Sequence, residues 1–376
     1  MPEQSTVKKK NANIELLRLI AMVFVVTVHL LDKGHSLVDP INEPSASAYI
    51  AWLLESFTIM SISLFILISG YFLVKSSFKL GRLLEIVFAA VFYALGAFIV
   101  CVLVGETSLS GMSAYDLLDK IFPIHMNLYW FITSYVIIYM ASPLINKAVL
   151  ALSEKQLRYV IILLLIYESL FKSVLPVRLS TDKMGYSTFW LVIMYIIGAY
   201  IRVHGLKIFE KPKVAGLTYV ICALLSFAEN ILIMFISDRF GHLKELRGIS
   251  LEHNHVILLT EAVSLFCFFV YRKELSEGIS RFVCAISPFS LGIYLVHENM
   301  SVRYKWPEWL GVTHLNELNP AMFLLKYVYA ILVVSAIGLA IDFIRVHAVG
   351  LIRKLLKESK LTASMKRFDR AINGEE

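Results

Sequence analysis

The sequence predicts an all-α, polytopic membrane bundle of about ten transmembrane helices in one domain, and three observations lead there. The 376 residues are 58% hydrophobic and only 17% charged, with a mean hydropathy of +0.70, outside the range of soluble domains. Apolar runs of about 18 residues or more recur along the chain, the length a helix needs to cross a hydrocarbon core of roughly 30 Å. Lysine and arginine alternate in number between the segments that join those runs, as the positive-inside rule requires. No polar stretch exceeds about forty residues, too little for a soluble catalytic domain.

The predicted spans are 14–31, 49–73, 83–104, 128–150, 159–175, 187–203, 214–237, 255–271, 283–300 and 321–344. The first follows Lys8, Lys9 and Lys10 as a signal peptide would, but it carries Arg18 and has no small-residue cleavage site, so it reads as a retained helix. Several spans hold Phe, Tyr and β-branched runs that would suit buried strands in a soluble protein. Their length, and the impossibility of open sheet edges facing lipid, assign helix.

Basic residues set the orientation. Segments on one side carry 24, counting Lys8–Lys10, Lys75, Lys79, Arg82, Lys147, Lys155, Arg158, Arg202, Lys207, Lys211, Lys213, Arg272, Lys273, Arg281 and the eight after residue 344. The other side carries 11, from Lys33 to Lys326, and Arg18 within the first span completes the 36. Both termini are therefore expected in the cytoplasm of a multi-pass cell-membrane (plasma or inner membrane) protein. Residues 1–13 form a cytoplasmic tail, 14–344 the membrane domain and 345–376 a basic cytoplasmic tail. Within that tail, 351–360 puts leucines opposite Arg353, Lys354, Lys357 and Lys360, a helix suited to lie on anionic lipid.

The net charge of +7 and pI near 9.0 do not indicate nucleic acid, because the basic residues sit in short clusters between apolar runs. Cys101, Cys222, Cys267 and Cys284 fall in or beside apolar runs without metal-ligand spacing, and read as small core hydrophobes.

Ionisable residues inside spans are costly, so they mark where chemistry belongs. The first span carries Glu15, Arg18 and His29. Glu15 and Arg18, three apart, can pair on one face. Arg18 and His29, eleven apart, return to nearly the same azimuth about 16 Å apart along the axis. An arginine snorkelling to one headgroup layer and a histidine at the other would explain each separately; their shared face favours one polar seam.

The stretch IELLRLIAMVFVVTVHL, with a basic residue, ten intervening residues and a histidine at Arg18 and His29, resembles the first helix of the acyltransferase-3 family of membrane acyltransferases. The family usually has Asp where this chain has Glu15. Residues 64–73 (LFILISGYFL), 128–145 (LYWFITSYVIIYMASPLI) and 287–298 (SPFSLGIYLVHE) are similar to later family segments in the same order, and Lys79-x-x-Arg82 stands where the family commonly has Arg-x-x-Arg.

The resemblance implies an O-acyltransferase moving an acyl group, usually acetyl, from cytoplasmic acyl-CoA to a hydroxyl of an extracytoplasmic glycan or lipid-linked sugar. His29 would be the base, since imidazole titrates near neutrality. Arg18 and the Lys79/Arg82 pair would hold the CoA phosphates, although Lys79 lacks the bidentate fork of an arginine. The pantetheine arm would thread along the seam.

Other candidates carry weaker signals. Ser69-Gly70-Tyr71 could bring backbones together beside the acyl path, or merely pack helices. Trp130 could be a substrate platform or an aromatic-belt anchor, the latter favoured. His297 with Glu298 could orient or assist His29, or be a satisfied structural histidine. Glu252-His253-x-His255 suggests zinc, but no further ligand has matching spacing, so no metal is expected. Glu168, Glu229, Glu261 and Asp342 suggest no role. The expected partners are membrane lipid, acyl-CoA and a glycan acceptor. The rival reading is a flippase of lipid-linked sugar, against which the spans show no inverted repeat; a catalytically silent module is disfavoured by the presence of both His29 and Arg18.

Overall fold

A computed structural model describes residues 11–110, 112–175, 183–355 and 360–375. Lys8–Lys10, Arg178 and Lys357 of the charge count lie outside them. The α-helices are α1 (Ala12–Lys33), α2 (Ala46–Thr58), α3 (Ser61–Leu73), α4 (Leu80–Leu103), α5 (Ala114–Ile121), α6 (Trp130–Ala151), α7 (Glu154–Leu165), α8 (Phe171–Val174), α9 (Thr188–His204), α10 (Pro212–Phe240), α11 (Val256–Tyr271), α12 (Glu277–Ile286), α13 (Ser290–His297), α14 (Trp306–Trp309), α15 (Pro320–Leu355) and α16 (Lys360–Asn373). No strand occurs among the described residues. The protein is an all-α, polytopic helix bundle.

Among the described residues, eight stretches are long and apolar enough to cross a bilayer: Ala12–Lys33, Ala46–Leu73, Leu80–Leu103, Trp130–Ala151, Pro212–Phe240, Lys244–Tyr271, Glu277–His297 and Pro320–Leu351. The predicted span 187–203 is the shorter apolar helix Thr188–His204. The predicted span 159–175 falls in the run α7–α8, interrupted by a π-helical turn at Ile166–Leu170. Hydrogen bonds join segments assigned to the same side: Asn13 Nδ2 donates to the Arg272 carbonyl at 3.2 Å, Ser45 Oγ to the Asn316 carbonyl at 2.9 Å, and Arg247 donates to Asp39 at 2.9 Å.

Helix α1 is central. Asn11 caps it by accepting from the amides of Asn13 and Ile14, and Glu15 and Lys33 sit at the ends that suit their charges. It touches α2, α3, α11, α12, α13 and α15. One face joins a core with α3, α9 and α11, the other a core with α4, α6, α13 and α15. Much of this helix is thus packed against neighbours on two faces.

Close backbone approaches hold the neighbours in place. A Cβ on Gly70 would lie 2.0 Å from the Tyr195 carbonyl oxygen, and one on Gly198 2.3 Å from that of Leu67, so only glycine lets α3 and α9 meet. Within α6, Pro143 cannot donate to the carbonyl of Tyr139, and Ser142 Oγ donates to it instead at 2.7 Å.

The predicted span 49–73 falls within the apolar stretch Ala46–Leu73, with a break inside it between Thr58 and Ser61 that separates α2 from α3; nothing in ESFTIMSIS is a helix breaker, and a polar break at this depth is tolerated where it lines a cavity. Helix α15 continues beyond residue 344 to Leu355. Most side chains of the amphipathic helix expected at 351–360 lie outside the described residues; the tail helix α16 (Lys360–Asn373) docks on protein. Asp369 Oδ1 accepts the Leu80 amide at 2.7 Å, and Asn373 bonds both backbone groups of Phe78 at 2.9 and 3.1 Å. These bonds satisfy amides that the first turn of α4 cannot pair internally.

Candidate active site

A cavity of about 530 Å³ runs beside α1, walled also by α2, α3, α6 and α13, within the size range of small-molecule sites. Arg18 and His29 both line it. Between them the lining is largely apolar, with Met22, Val25, Ile62, Phe65 and Ile68; around His29 it becomes polar, with Asp32, Lys33, Glu55, Tyr186, Glu298 and Arg303.

His29 is held by two residues of the segment 287–298. Its Nδ1 lies 2.9 Å from His297 Nε2 and 3.2 Å from Glu298 Oε2. His297 Nδ1 lies 2.5 Å from the Ile293 carbonyl oxygen. A carbonyl can only accept, so His297 Nδ1 carries the proton and its Nε2 is a lone pair in the neutral ring. His29 Nδ1 must then be the donor to that lone pair and to Glu298. The hydrogen-bond pattern thereby assigns the tautomer of His29 and leaves its Nε2 as a basic nitrogen on a side chain that faces the cavity. Glu298 also pairs with Lys33 through Oε2 and with Arg303 through Oε1 at 3.3 Å.

At the other end Arg18 Nη1 donates to Glu15 Oε2 at 2.8 Å, and Ser287 Oγ donates to the same oxygen. The two segments singled out in the sequence therefore meet twice, at Glu15 with Ser287 and at His29 with His297 and Glu298. Ser69 lines the cavity near Arg18, its Oγ donating to the Phe65 carbonyl at 2.8 Å.

The remaining predicted residues divide. Trp130 lines the cavity, its ring 5.1 Å from that of Tyr186. Tyr71 lies off the cavity lining: its hydroxyl accepts from Arg202 at 3.1 Å, and the guanidinium sits 4.8 Å from its ring. Two residues along a helix is about 200° of rotation, so Ser69 and Tyr71 cannot share a wall. Lys79 and Arg82 are exposed at the start of α4, beside α16, and do not line the cavity itself.

The suggested zinc ligands diverge. Glu252 is paired with the buried Lys172, His255 faces Glu229 at 4.0 Å, and His253 lines the cavity. Asp342 accepts from Tyr93 at 2.9 Å and pairs with Arg345 at 2.7 Å, a packing network between α4 and α15. A different trio, His29, His297 and Glu298, brings its ligand atoms within 4.8 Å of one another.

Sequence reasoning missed Lys33 and Arg303 as partners of Glu298, and Glu55 altogether. The first two sit where a loop would be expected, and only the tertiary fold brings them to one carboxylate. Glu55 had a usable signal, being a carboxylate inside a predicted span.

An arginine and a partner-oriented histidine thus line one cavity inside an all-helical bundle built of long apolar helices. A family model described as an acyltransferase domain matches residues 11–339, and the chain belongs to that family, acyltransferase-3. It is a multi-pass membrane acyltransferase. Searches of curated proteins and of solved structures return no match.

Proposed function

We propose that this acyltransferase moves an acyl group, acetyl in the first instance, from cytoplasmic acyl-CoA to a hydroxyl of an extracytoplasmic glycan or lipid-linked sugar, across a ten-span bundle of the cell membrane with both termini inside. The observation that carries this reading is that one cavity is lined by Arg18 at one end and by His29, whose Nε2 has no partner among the described residues, at the other.

His29 Nε2 takes the proton of the acceptor hydroxyl as its oxygen attacks the thioester carbonyl. The tetrahedral intermediate expels the CoA thiolate, the C–S bond breaks, and the imidazolium returns the proton to sulfur. Glu298 stabilises the imidazolium, while Lys33 and Arg303 supply positive charge where the carbonyl oxygen becomes negative. Arg18, Lys79 and Arg82 suit the phosphates of CoA, and the apolar stretch between Arg18 and His29 suits its arm and the acyl chain.

The reaction runs without a metal in this reading. His29 and His297 are spaced as a hydrogen-bonded pair, and the Lys33 ammonium on Glu298 Oε2 opposes a dication there.

The test compares surface glycans by mass between cells with and without the gene, alongside acetyl-CoA cleavage by the purified protein in lipid. A shift of one acyl unit supports transfer. Unaltered glycans with accumulated lipid-linked precursor would instead support a flippase.

A further inference from the structure

Two buried ionisable side chains line the cavity without serving His29 and without satisfying themselves. Glu55 on α2 is 5% exposed and its Oε2 has no hydrogen-bond partner among the described residues. His253 is 3% exposed, and neither ring nitrogen is bonded among the described residues. Buried polar groups left open in this way cost stability, which a ligand can recover.

The wall between them is aromatic. The Tyr186 ring meets that of His253 edge-on at 4.5 Å and that of Trp130 at 5.1 Å, and both Tyr186 and Trp130 line the cavity. The segment carrying Tyr186 is fixed in place. Lys183, Met184 and Gly185 have φ of 48°, 57° and 79°, and the His253 amide donates to the Met184 carbonyl at 3.1 Å. A Cβ on Gly185 would lie 2.7 Å from both the Asn254 amide and His253 Cβ, so glycine is required for this approach. Left-handed conformations concentrated beside a cavity are strain held for a purpose. Tyr186, Trp130, Glu55 and His253 line the same cavity as His29.

We propose that Glu55, His253, Tyr186 and Trp130 form the acceptor subsite and hold a sugar ring so that one of its hydroxyls faces His29 Nε2. The Glu55 carboxyl can bond two neighbouring hydroxyls, one through each oxygen, accepting at one and donating from the other when protonated, and a neutral imidazole offers one donor and one acceptor. The aromatic rings cover the C–H face of the sugar while leaving their polar edges free. The inference rests on the glycan reading above and adds the residues that select the ring.

The test uses the purified full chain in lipid, with acetyl-CoA as donor and methyl glycosides of common hexoses, together with their monodeoxy analogues, as acceptors. Glu55→Gln keeps the side-chain volume and should raise the acceptor KM by about 10- to 100-fold, with the KM for acetyl-CoA held within about twofold. The deoxy analogue lacking the hydroxyl bound by Glu55 should be a poor acceptor for the parent and no worse for Glu55→Gln, a coupling that a structural role would not produce. His253→Gln should lose discrimination at a different ring position. Acceptor KM values equal to the parent's in both variants, or deoxy penalties that persist in them, overturn the subsite. A parent that cleaves acetyl-CoA yet acylates no glycoside overturns the glycan reading, and the subsite with it; the parent's behaviour alone separates the two failures.

Discussion

Glu298→Gln removes the one negative charge on which His29, Lys33 and Arg303 converge. With 3.2 Å between His29 Nδ1 and Glu298 Oε2, the attraction once His29 is protonated is about 5 kcal/mol at an effective dielectric of about 20. The His29 side chain is 21% exposed to the cavity, so solvent screens part of this. Keeping roughly half leaves about 2.7 kcal/mol, or about 100-fold in kcat. Stability falls too, because Lys33, with its side chain 7% exposed, is left as a buried cation lacking its carboxylate; breaking such a pair costs about 3–5 kcal/mol. The double variant Lys33→Met with Glu298→Gln separates the two effects, since it should recover stability without recovering turnover. Acetyl transfer and thermal unfolding in detergent are measured for parent, single and double variants. Turnover in Glu298→Gln within about threefold of the parent would refute the role assigned to this carboxylate.

Lys79→Ala and Arg82→Ala should each weaken acyl-CoA binding by roughly 10- to 150-fold without unfolding the bundle, since both side chains are exposed and each removes a phosphate partner rather than a packing contact; parental affinity in both, by titration, would move the CoA phosphates elsewhere. Exhaustive chelation should leave turnover unchanged, and a loss restored by zinc would put a metal on His29, His297 and Glu298. A cysteine at Glu317, whose side chain is exposed beside the buried Asn316, should react with a membrane-impermeant thiol reagent in intact cells, whereas a reporter after residue 376 should remain cytoplasmic; an accessible C-terminus would remove the ten-span topology.

The bundle and the Arg18-to-His29 seam were legible because length and helical period are local properties: eleven residues fix an azimuth whatever surrounds them. The partners of His29 were half legible. His297 and Glu298 stood out as intramembrane polar residues, but that Lys33 and Arg303 reach the same carboxylate depends on how α1, α13 and the following loop pack. The break at Ile59–Met60 was hidden because its residues are ordinary helix and strand formers, with neither Gly nor Pro to announce it. Tyr71 was misjudged by reading neighbours in sequence as neighbours in space. Trp130 read both as a belt residue and as a platform, because its position at a helix start is shared by both roles. The docking of α16 on α4 was hidden as well, since an amphipathic face reads alike whether lipid or protein covers it.

The central claim is that His29 is the base. Replacing it with Gln keeps a polar side chain of similar reach and removes useful basicity at neutral pH. Purified parent and His29→Gln in lipid are compared for acetyl transfer and for acetyl-CoA binding. The account predicts unchanged binding with turnover reduced by at least about 10²-fold, the scale for losing a general base. Near-parental turnover would contradict it, and His297 would become the nitrogen to test.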